Sequence, residues 1–419
     1  MLNNFKSLTK LTFYEKLFLI FPIILILRPV VINIFLVFVT IILIYEVFKK
    51  KYLHILKYET WAWFFLFFIS YCFFRGLFAA DPIPSLKSSI SLIRFLAFSL
   101  FIFLCISNIK NFKIILNFWT VILVLVCIDA LIQYFLGKDI FGFSRVGGER
   151  LTGPFGDHQI VGAYLSYISV PLIFHFFSKI KNFNFNELLV LFFIYFLLFF
   201  TIALSGERLS FIIFLCSSLV IFFINLKIKN FLYLLILIGC ILLSLYFFNS
   251  YFNSRIQQFF FTINDIPNSP WGRLFHSGYL VFKSNIFFGV GLKNYTIVCD
   301  TQIVDPLKDL KNIHQFCSTH PHHLYLEILS ETGVIGLLLL FLTFGFFFYL
   351  IVKKIKKLRN NKLFEEYKGL LYGNILILFV YFWPIKTSGR FFTTFNGSFF
   401  WFSLGIALLI TKNFYYKNK

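Results

Sequence analysis

Long apolar runs alternate with short polar turns along this 419-residue chain. Each run is about 16 to 22 residues long, which is enough for one helix to cross the hydrocarbon core of a bilayer. The pattern therefore predicts an all-α polytopic membrane protein. We expect about twelve transmembrane helices, at residues 14–28, 30–48, 60–78, 88–107, 113–135, 159–177, 187–204, 209–226, 231–248, 333–352, 368–385 and 397–412.

The composition agrees with a membrane protein. Hydrophobic residues make up 59% of the chain and charged residues only 14%, whereas a soluble chain carries about a quarter charged residues. The mean hydropathy is +0.82. The first apolar run leads directly into the second without a small-residue cleavage site, so we expect no cleavable signal peptide.

The formal net charge of +21 raises the question of nucleic-acid binding. The lysines, however, lie in short turns between apolar runs, which is typical of anchoring against anionic lipid. The sequence thus predicts membrane lipid as a partner and no nucleic acid.

Lysine-rich turns follow every second predicted helix. The positive-inside rule places these turns, and both lysine-bearing termini, in the cytoplasm. An even number of helices agrees with this topology. The turns contain Lys49–Lys51, Lys110 and Lys113, Lys179 and Lys181, Lys227 and Lys229, and Lys353–Lys357.

Two segments on the opposite side are longer than a connection requires, residues 136–158 and 249–332. Unstructured loops as long as the second are usually functional or disordered. Its many aromatic residues disfavour disorder, and the helical spacing of apolar residues in RLFHSGYLVFKSN predicts amphipathic helices on the membrane surface. We therefore divide the chain into helices one to nine (1–248), a large periplasmic loop (249–332) and three final helices (333–419).

Two of the seven cysteines, Cys299 and Cys317, lie in the large loop. An oxidising outer compartment favours a disulfide between them, and closing a loop of about 19 residues would stabilise the fold by about 3 kcal/mol. The alternative is two free thiols. The remaining cysteines lie in predicted spans as small apolar packing residues: Cys72, Cys105, Cys127, Cys216 and Cys240.

Arginine is distributed differently from lysine. Only one of the ten arginines, Arg359, lies on the predicted cytoplasmic side. Topology needs only generic positive charge, whereas a planar guanidinium binds phosphate oxygens in pairs. The outer face is thus predicted to bind a phosphate-bearing substrate. The outer arginines are Arg28, Arg75, Arg94, Arg145, Arg150, Arg208, Arg255, Arg273 and Arg390.

Three histidines, His320, His322 and His323, lie where the large loop returns to the membrane. A neutral histidine there could take a proton from an attacking hydroxyl near pH 7. His323 and Glu327 are four residues apart and could pair on one helical face.

Three other interpretations of this segment remain open. The histidines could be interfacial anchors. They could ligate zinc together with His314 and a cysteine, although the spacing of His320 and His322 does not place both on one helical face. Glu327 and Glu331 could form a solvated face.

Other polar residues lie at or inside predicted spans. Arg208 begins a span and could be an interfacial anchor with Glu207 as its partner. Arg273 lies in an apolar surface helix, where lysine would serve solubility equally well. Asp129 and Arg94 are costly inside a membrane unless they face a cavity or neutralise one another, so each is a candidate functional residue.

Four motifs in this order, GERLTGPFGDHQIVGAYLS, SGERLSF, HPHHLYLEILSETGVIG and WPIKTSGRFFTTFNGSFFW, extend from about residue 145 to 405. The set resembles the O-antigen ligase family, which also includes O-antigen polymerases and bacterial O-linked oligosaccharyltransferases. The histidine motif, which includes Gly333 and Gly336, is the most specific of the four.

The resemblance implies site residues. His322 takes the role of the base, and Arg208 and Arg273 hold the pyrophosphate of an undecaprenyl-linked glycan donor. The family prefers Asn, Ser or Gln where this chain has His323, and motif register ranks His322 above it. Further substrate-binding residues are expected at Arg145, Arg150, Arg390, His323 and Glu327.

The predicted reaction needs neither metal nor cofactor, and direct displacement would invert the anomeric centre. We expect O-antigen ligation to lipid A–core, on the periplasmic face of a bacterial inner membrane. Two enzyme alternatives are an O-antigen polymerase and an O-linked oligosaccharyltransferase. An alternative of another class is a flippase or exporter of lipid-linked glycans, but charges clustered at one face favour catalysis.

Overall fold

The computed structural model describes residues 11–49, 52–106, 111–145, 150–303, 317–358, 362–384, 386–387 and 389–415. In this part of the chain the regular structure is helical, with one isolated β-bridge between Lys138 and Ser144. The predicted all-α class is confirmed. Arg359 and His314 lie outside the described residues.

Most of the longer helices follow the predicted apolar runs, and two lie in the predicted large loop. They are α1 (Phe13–Ile26), α2 (Pro29–Lys49), α3 (Thr60–Gly76), α4 (Pro82–Ser91), α5 (Ile93–Cys105), α6 (Phe112–Leu136), α7 (Val161–Phe177), α8 (Phe185–Leu204), α9 (Arg208–Asn225), α10 (Ile228–Phe248), α11 (Ser250–Asn264), α12 (Pro270–Ser284), α13 (Leu324–Leu358), α14 (Lys362–Tyr381) and α15 (Thr394–Tyr415).

Each of the twelve predicted spans overlaps one of these helices. Within the described residues, eight helical segments are long and apolar enough to cross a membrane unaided, with α4 and α5 counted as one. Helix α7 is apolar but shorter. The eight are α2, α4–α5, α6, α8, α9, α10, α13 and the Thr394–Lys412 part of α15.

Aromatic side chains fill the centre of the helix bundle. Phe21 lies 4.5 Å from Phe402, and Phe65 lies 4.4 Å from Trp401, measured between ring centroids. These contacts join α1 and α3 to α15. The core is thus built by helices that are distant in sequence.

Alternating helix directions place the ends of α2, α5, α7, α9 and α13 on one side of the bundle, and lysines are concentrated in the sequence at these ends. We call the other side the lysine-poor side. It carries the described residues of the connections α1–α2, α3–α4, α6–α7, α8–α9 and α14–α15, and those between α10 and the start of α13.

Helix α13 is interrupted at Gly333, whose φ of 67° and ψ of −172° are not helical. A side chain at Gly333 would overlap the Phe287 carbonyl, and a positive φ favours glycine. The crossing segment 286–291 takes over the backbone bonds of the break. The N–H of Val290 donates to the Ser330 carbonyl, and the N–H of Val334 donates to the Ile286 carbonyl, both at 2.9 Å.

The long segment before α13 is held by a disulfide. Cys299 and Cys317 are bonded, with their Cα atoms 5.8 Å apart. Cys299 packs in a small apolar cluster with Val281, Val290 and Tyr295. The disulfide therefore fixes the chain just before the histidines.

Two of the span cysteines differ from the expectation of core packing. Cys72, Cys105 and Cys127 are buried, but Cys216 and Cys240 are exposed on the surfaces of α9 and α10.

Candidate functional site

Residues 319–323, which we call the histidine segment, begin two positions after Cys317 and cross helix α12. Gly278 lets this segment approach closely, because a Cβ there would stand 2.6 Å from the Cβ of Pro321. His322 has a φ of 53°. This left-handed conformation is uncommon outside glycine, and such residues are concentrated at functional sites.

Aromatic rings of α12 form one wall against the histidines. Trp271 meets His322 edge to face at 5.2 Å between centroids, and Phe275 meets His323 in the same way at 5.2 Å. The rings of His320 and His322 are 3.9 Å apart. Arg273 lies on the same helix, between the two aromatic residues. At about 100° per residue, Arg273 lies on another face of α12 than these two rings.

His323 is bound through both ring nitrogens. Its Nε2 donates to the Pro384 carbonyl at 2.9 Å, and its Nδ1 accepts the backbone N–H of Leu326 at 3.3 Å. A carbonyl can only accept, so this bond fixes the tautomer. Burial lowers the pKa of His323, while the bond to Pro384 opposes that shift. The imidazole is therefore held neutral and fixed in place.

The predicted side-chain pair between His323 and Glu327 is wrong. Glu327 instead accepts the backbone N–H of Phe391 at 3.0 Å and lies 3.6 Å from Nε of Arg390. The loop after α14 supplies the partners of the Glu327 carboxylate. The four-residue spacing from His323 therefore does not determine which group binds Glu327.

Arg390 connects the C-terminal segment to the start of α13. Its Nη2 pairs with Glu331, and its Nη1 donates to the Thr319 carbonyl at 3.3 Å. Glu327 and Glu331 are only 1% and 2% exposed, so the interpretation as a solvated face is wrong. Buried carboxylates need such partners because an unpaired buried charge is costly.

Arg208 begins α9, directly after Glu207. The Glu207 carboxylate accepts the backbone N–H groups of Gly162 at 2.6 Å and Ala163 at 3.1 Å, and the Ser210 hydroxyl at 2.9 Å. It therefore binds the N-terminus of α7, where the helix dipole favours negative charge. Burial raises the pKa of Glu207 to about 7, although these hydrogen bonds and Arg150 oppose the shift.

Three arginines gather around this turn. Arg208 lies within electrostatic reach of Arg255 and Arg150, which repel its charge. Arg255 is 8% exposed, and its Nη2 donates to the Gly206 carbonyl at 3.0 Å. Arg150 donates to the side chain of Gln159 at 2.9 Å. Like charges brought together in this way favour an anion between them.

A small cavity of about 40 Å³ is lined by sequence neighbours of Arg208 and of His323. Leu209, the residue after Arg208, lines it together with Leu324, the residue after His323. Lys386 and Tyr381 also line it, and the ammonium of Lys386 lies 5.1 Å from the ring centre of Tyr381. Burial lowers the pKa of Lys386 to about 8.

Arg145 is bound to the end of α6. It donates to the Tyr134 carbonyl and, at 3.4 Å, to the Gln133 carbonyl. Its guanidinium stands 4.7 Å from the ring centre of Tyr134. These carbonyls belong to the last turn of α6, where a cation is favoured.

Asp129 and Arg94 do not neutralise one another. Asp129 accepts the backbone N–H of Ile140 at 3.0 Å, while Arg94 donates to the Ser91 carbonyl at 2.9 Å. Among the described residues, no three His, Cys, Asp or Glu side chains are grouped so that they could hold a metal ion.

The sequence gives no individual role to two residues of this site, Arg255 and Lys386. Arg255 is one of nine outer arginines, and its neighbours in the chain give no reason to place it beside Gly206. Lys386 lies within the last of the four motifs. The signal that could identify it is the rarity of lysine on the lysine-poor side.

Comparison with known proteins agrees with the motifs. Residues 193–341 match the family model described as O-antigen ligase, and this range contains Arg208, Arg273 and the histidine segment. A Rickettsia typhi protein named as a polysaccharide ligase is 26% identical over 306 residues, which cover 71% of this chain and 69% of that protein. These matches confirm the predicted resemblance of the chain to the O-antigen ligase family.

Proposed function

We propose that the protein transfers a glycan from undecaprenyl pyrophosphate to an acceptor hydroxyl, on the periplasmic face of a bacterial inner membrane. The acceptor that we propose is lipid A–core. One observation carries the proposal: His322 is held in a left-handed conformation against helix α12, which bears Arg273. Such strain in a titratable residue, inside a family motif, supports a catalytic role.

The proposed donor site uses the arginines. Arg208, with Arg150 and Arg255 within electrostatic reach, supports binding of a pyrophosphate. The Glu207 carboxylate is bound by the N-terminus of α7 and offsets part of the charge of Arg150. We assign Arg273 to the same pyrophosphate because the family motif gives it that role. Fixed cations at a departing phosphate are the usual means of lowering such a barrier.

The proposed base is His322. Its imidazole takes the proton of the acceptor hydroxyl as the oxygen forms a bond to the anomeric carbon of the donor. The bond from that carbon to the pyrophosphate oxygen breaks, and undecaprenyl pyrophosphate leaves with the electron pair. A base of this kind contributes about 10²- to 10⁴-fold to the rate. A single displacement inverts the anomeric centre and requires no metal.

Three other predicted site residues take a different role in this proposal. Hydrogen bonds join the loop after α14 to the histidine segment and to the start of α13, and they involve His323, Glu327 and Arg390. We therefore assign these three residues to positioning the histidine segment and not to direct contact with the donor. Arg145 is assigned to holding the loop after α6.

Deletion of the gene tests the reaction and its acceptor. Ligation predicts bare lipid A–core together with accumulation of lipid-linked polymer. Core capped with a single repeat would instead show a polymerase, and unchanged lipopolysaccharide would show another acceptor, such as protein. Purified enzyme with donor and acceptor in detergent separates catalysis from transport, because a flippase would transfer no glycan there.

A further inference from the structure

A second and larger cavity, of about 300 Å³, lies on the lysine-poor side. Its walls come from the start of α2, the α4–α5 junction, the segment before α13 and the start of α15. The small cavity beside Leu209 and Leu324 has a different lining. The polar lining residues of the larger cavity include Ser91, Arg94, Lys293, Glu331 and Arg390.

Positive charge dominates this cavity. Arg94, Lys293 and Arg390 line it, and Glu331 is the one acid among its described lining residues. Glu331 is already bound by Arg390 and by the backbone N–H of Lys293 at 3.0 Å. The excess of cations over that one carboxylate favours an anionic occupant.

Arg94 gives the strongest sign of a missing anion. It lies in the first turn of α5, and its guanidinium stands 4.5 Å from the ring centre of Phe95. One of its nitrogens donates to the Ser91 carbonyl at 2.9 Å. Its Nε is buried and has no hydrogen-bond partner in the described part of the chain. An unsatisfied buried guanidinium nitrogen is costly, and a phosphate oxygen would satisfy it.

The surface beside the cavity is apolar. Val30, one residue from the lining Pro29, is 66% exposed, and Ile90 and Ile93 beside the lining Ser91 and Leu92 are 54% and 42% exposed. On a membrane protein such side chains face hydrocarbon. An occupant with an acyl chain can therefore lie along this surface while its charged group enters the cavity.

We propose that this cavity binds the phosphate group of a membrane amphiphile, at a site separate from the donor pyrophosphate. Arg94 supplies paired donors, and Lys293 supplies a point charge at the rim, where it is exposed. The shared residue Arg390 connects the cavity wall to Thr319 in the histidine segment. An occupied cavity thus places a second lipid-linked group next to the catalytic segment.

Binding of dodecyl phosphate to the full-length protein in a neutral maltoside detergent tests the proposal. Isothermal titration calorimetry should give saturable binding to the wild type. Arg94→Gln and Lys293→Gln should each weaken binding tenfold or more. Lys87→Gln, which removes one exposed cation from the same helix as Ser91, should leave binding unchanged. Unchanged thermal unfolding of each variant shows that it is folded.

Three results would overturn the proposal. Wild-type affinity in both Arg94→Gln and Lys293→Gln would exclude this cavity. Equal affinity for inorganic phosphate would exclude an amphiphile as the occupant. Loss of binding in Arg208→Gln, with retention in Arg94→Gln, would place the phosphate in the proposed donor site. Because the assay contains no glycan, its outcome is independent of whether the proposed transfer reaction is correct.

Discussion

His322 and His323 have the same side chain and adjacent positions, yet the fold uses them differently. Both nitrogens of His323 bind backbone groups, whereas His322 adopts a left-handed conformation against Trp271. Motif register alone ranked His322 first. The backbone and hydrogen bonds now give a physical reason for the same ranking.

Replacing each histidine separately by alanine should separate these roles. His322→Ala should lower the rate of glycan transfer by about 10²- to 10⁴-fold, because the base is lost. His323→Ala should mainly lower the thermal stability, because it removes the bond to Pro384. Initial rates and unfolding temperatures of the two purified variants provide the measurement. A His322→Ala enzyme with the wild-type rate would exclude this residue as the base.

Arg208→Lys should be damaging although the charge is kept. Lysine cannot hold two phosphate oxygens in a fixed plane, so we expect the transfer rate to fall about tenfold or more. The control is Arg28→Lys, which changes an exposed arginine on the same side of the bundle. Full activity in Arg208→Lys would show that paired contacts are not needed there.

Glu207 should make stability depend on pH. Burial raises its pKa from 4.5 to about 7 in the folded protein. The unfolded chain thus loses this proton at lower pH than the folded protein. The stabilisation is fully present below pH 4.5 and is lost as pH rises to about 7, a change of about 3 kcal/mol.

Glu207→Gln tests this dependence, because glutamine has nearly the same shape as a protonated glutamate but does not titrate. The decline in unfolding temperature between pH 4.5 and 7 should become shallower in the variant. An identical decline in both proteins would assign the effect to another group.

Partners distant in sequence were beyond prediction at this scale. Glu327 and Glu331 were recognisable as polar residues near a helix start. Their partner, Arg390, lies about 60 residues further along the chain, in the loop between α14 and α15. Spacing within one helix therefore suggested His323 as the partner of Glu327.

At the scale of elements, apolar runs were sufficient to find the helices but not their interruption. All twelve runs overlap a helix because a bilayer requires internally bonded backbone. Periodicity gave no sign that α13 breaks at Gly333, since apolar residues continue through it. The family motif contained the glycines, and the structure supplies their reason: segment 286–291 crosses there in direct contact.

Gly333→Ala should lower the free energy of unfolding by at least about 2 kcal/mol. The new methyl group would overlap the Phe287 carbonyl, at a positive φ that alanine disfavours. Gly345→Ala is a matched control on the same helix, since its Cβ would meet nothing within 4 Å. It should be neutral or slightly stabilising. Equal unfolding temperatures of the two variants would contradict a structural break at Gly333.

At the scale of the whole molecule, the proposed site and the lysine-rich turns lie at opposite ends of the bundle. The positive-inside rule then predicts that the histidines and arginines are periplasmic. The positions of the lysines along the chain are enough for this prediction, because the topology depends on many lysines together and not on any one contact.

Cysteine labelling in intact cells tests that orientation. The host background is a variant in which the five free cysteines are replaced by serine. Lys87→Cys, in α4, should react with a membrane-impermeant maleimide, and Lys229→Cys, after α9, should react only after the membrane is broken. Both lysines are exposed, so access alone is compared. The reverse labelling pattern would show the opposite topology and would contradict a periplasmic position of the proposed site.

The bonds from the loop after α14 to the histidine segment also have a consequence for biosynthesis. Pro384, Arg390 and Phe391 leave the ribosome roughly sixty residues after His323 and Glu327. Until those later residues have been translated and inserted, the earlier segment lacks the groups that fix its imidazole and carboxylates. The enzyme should thus acquire activity only when its last two helices are in the bilayer, and a nascent chain truncated before Pro384 should remain inert.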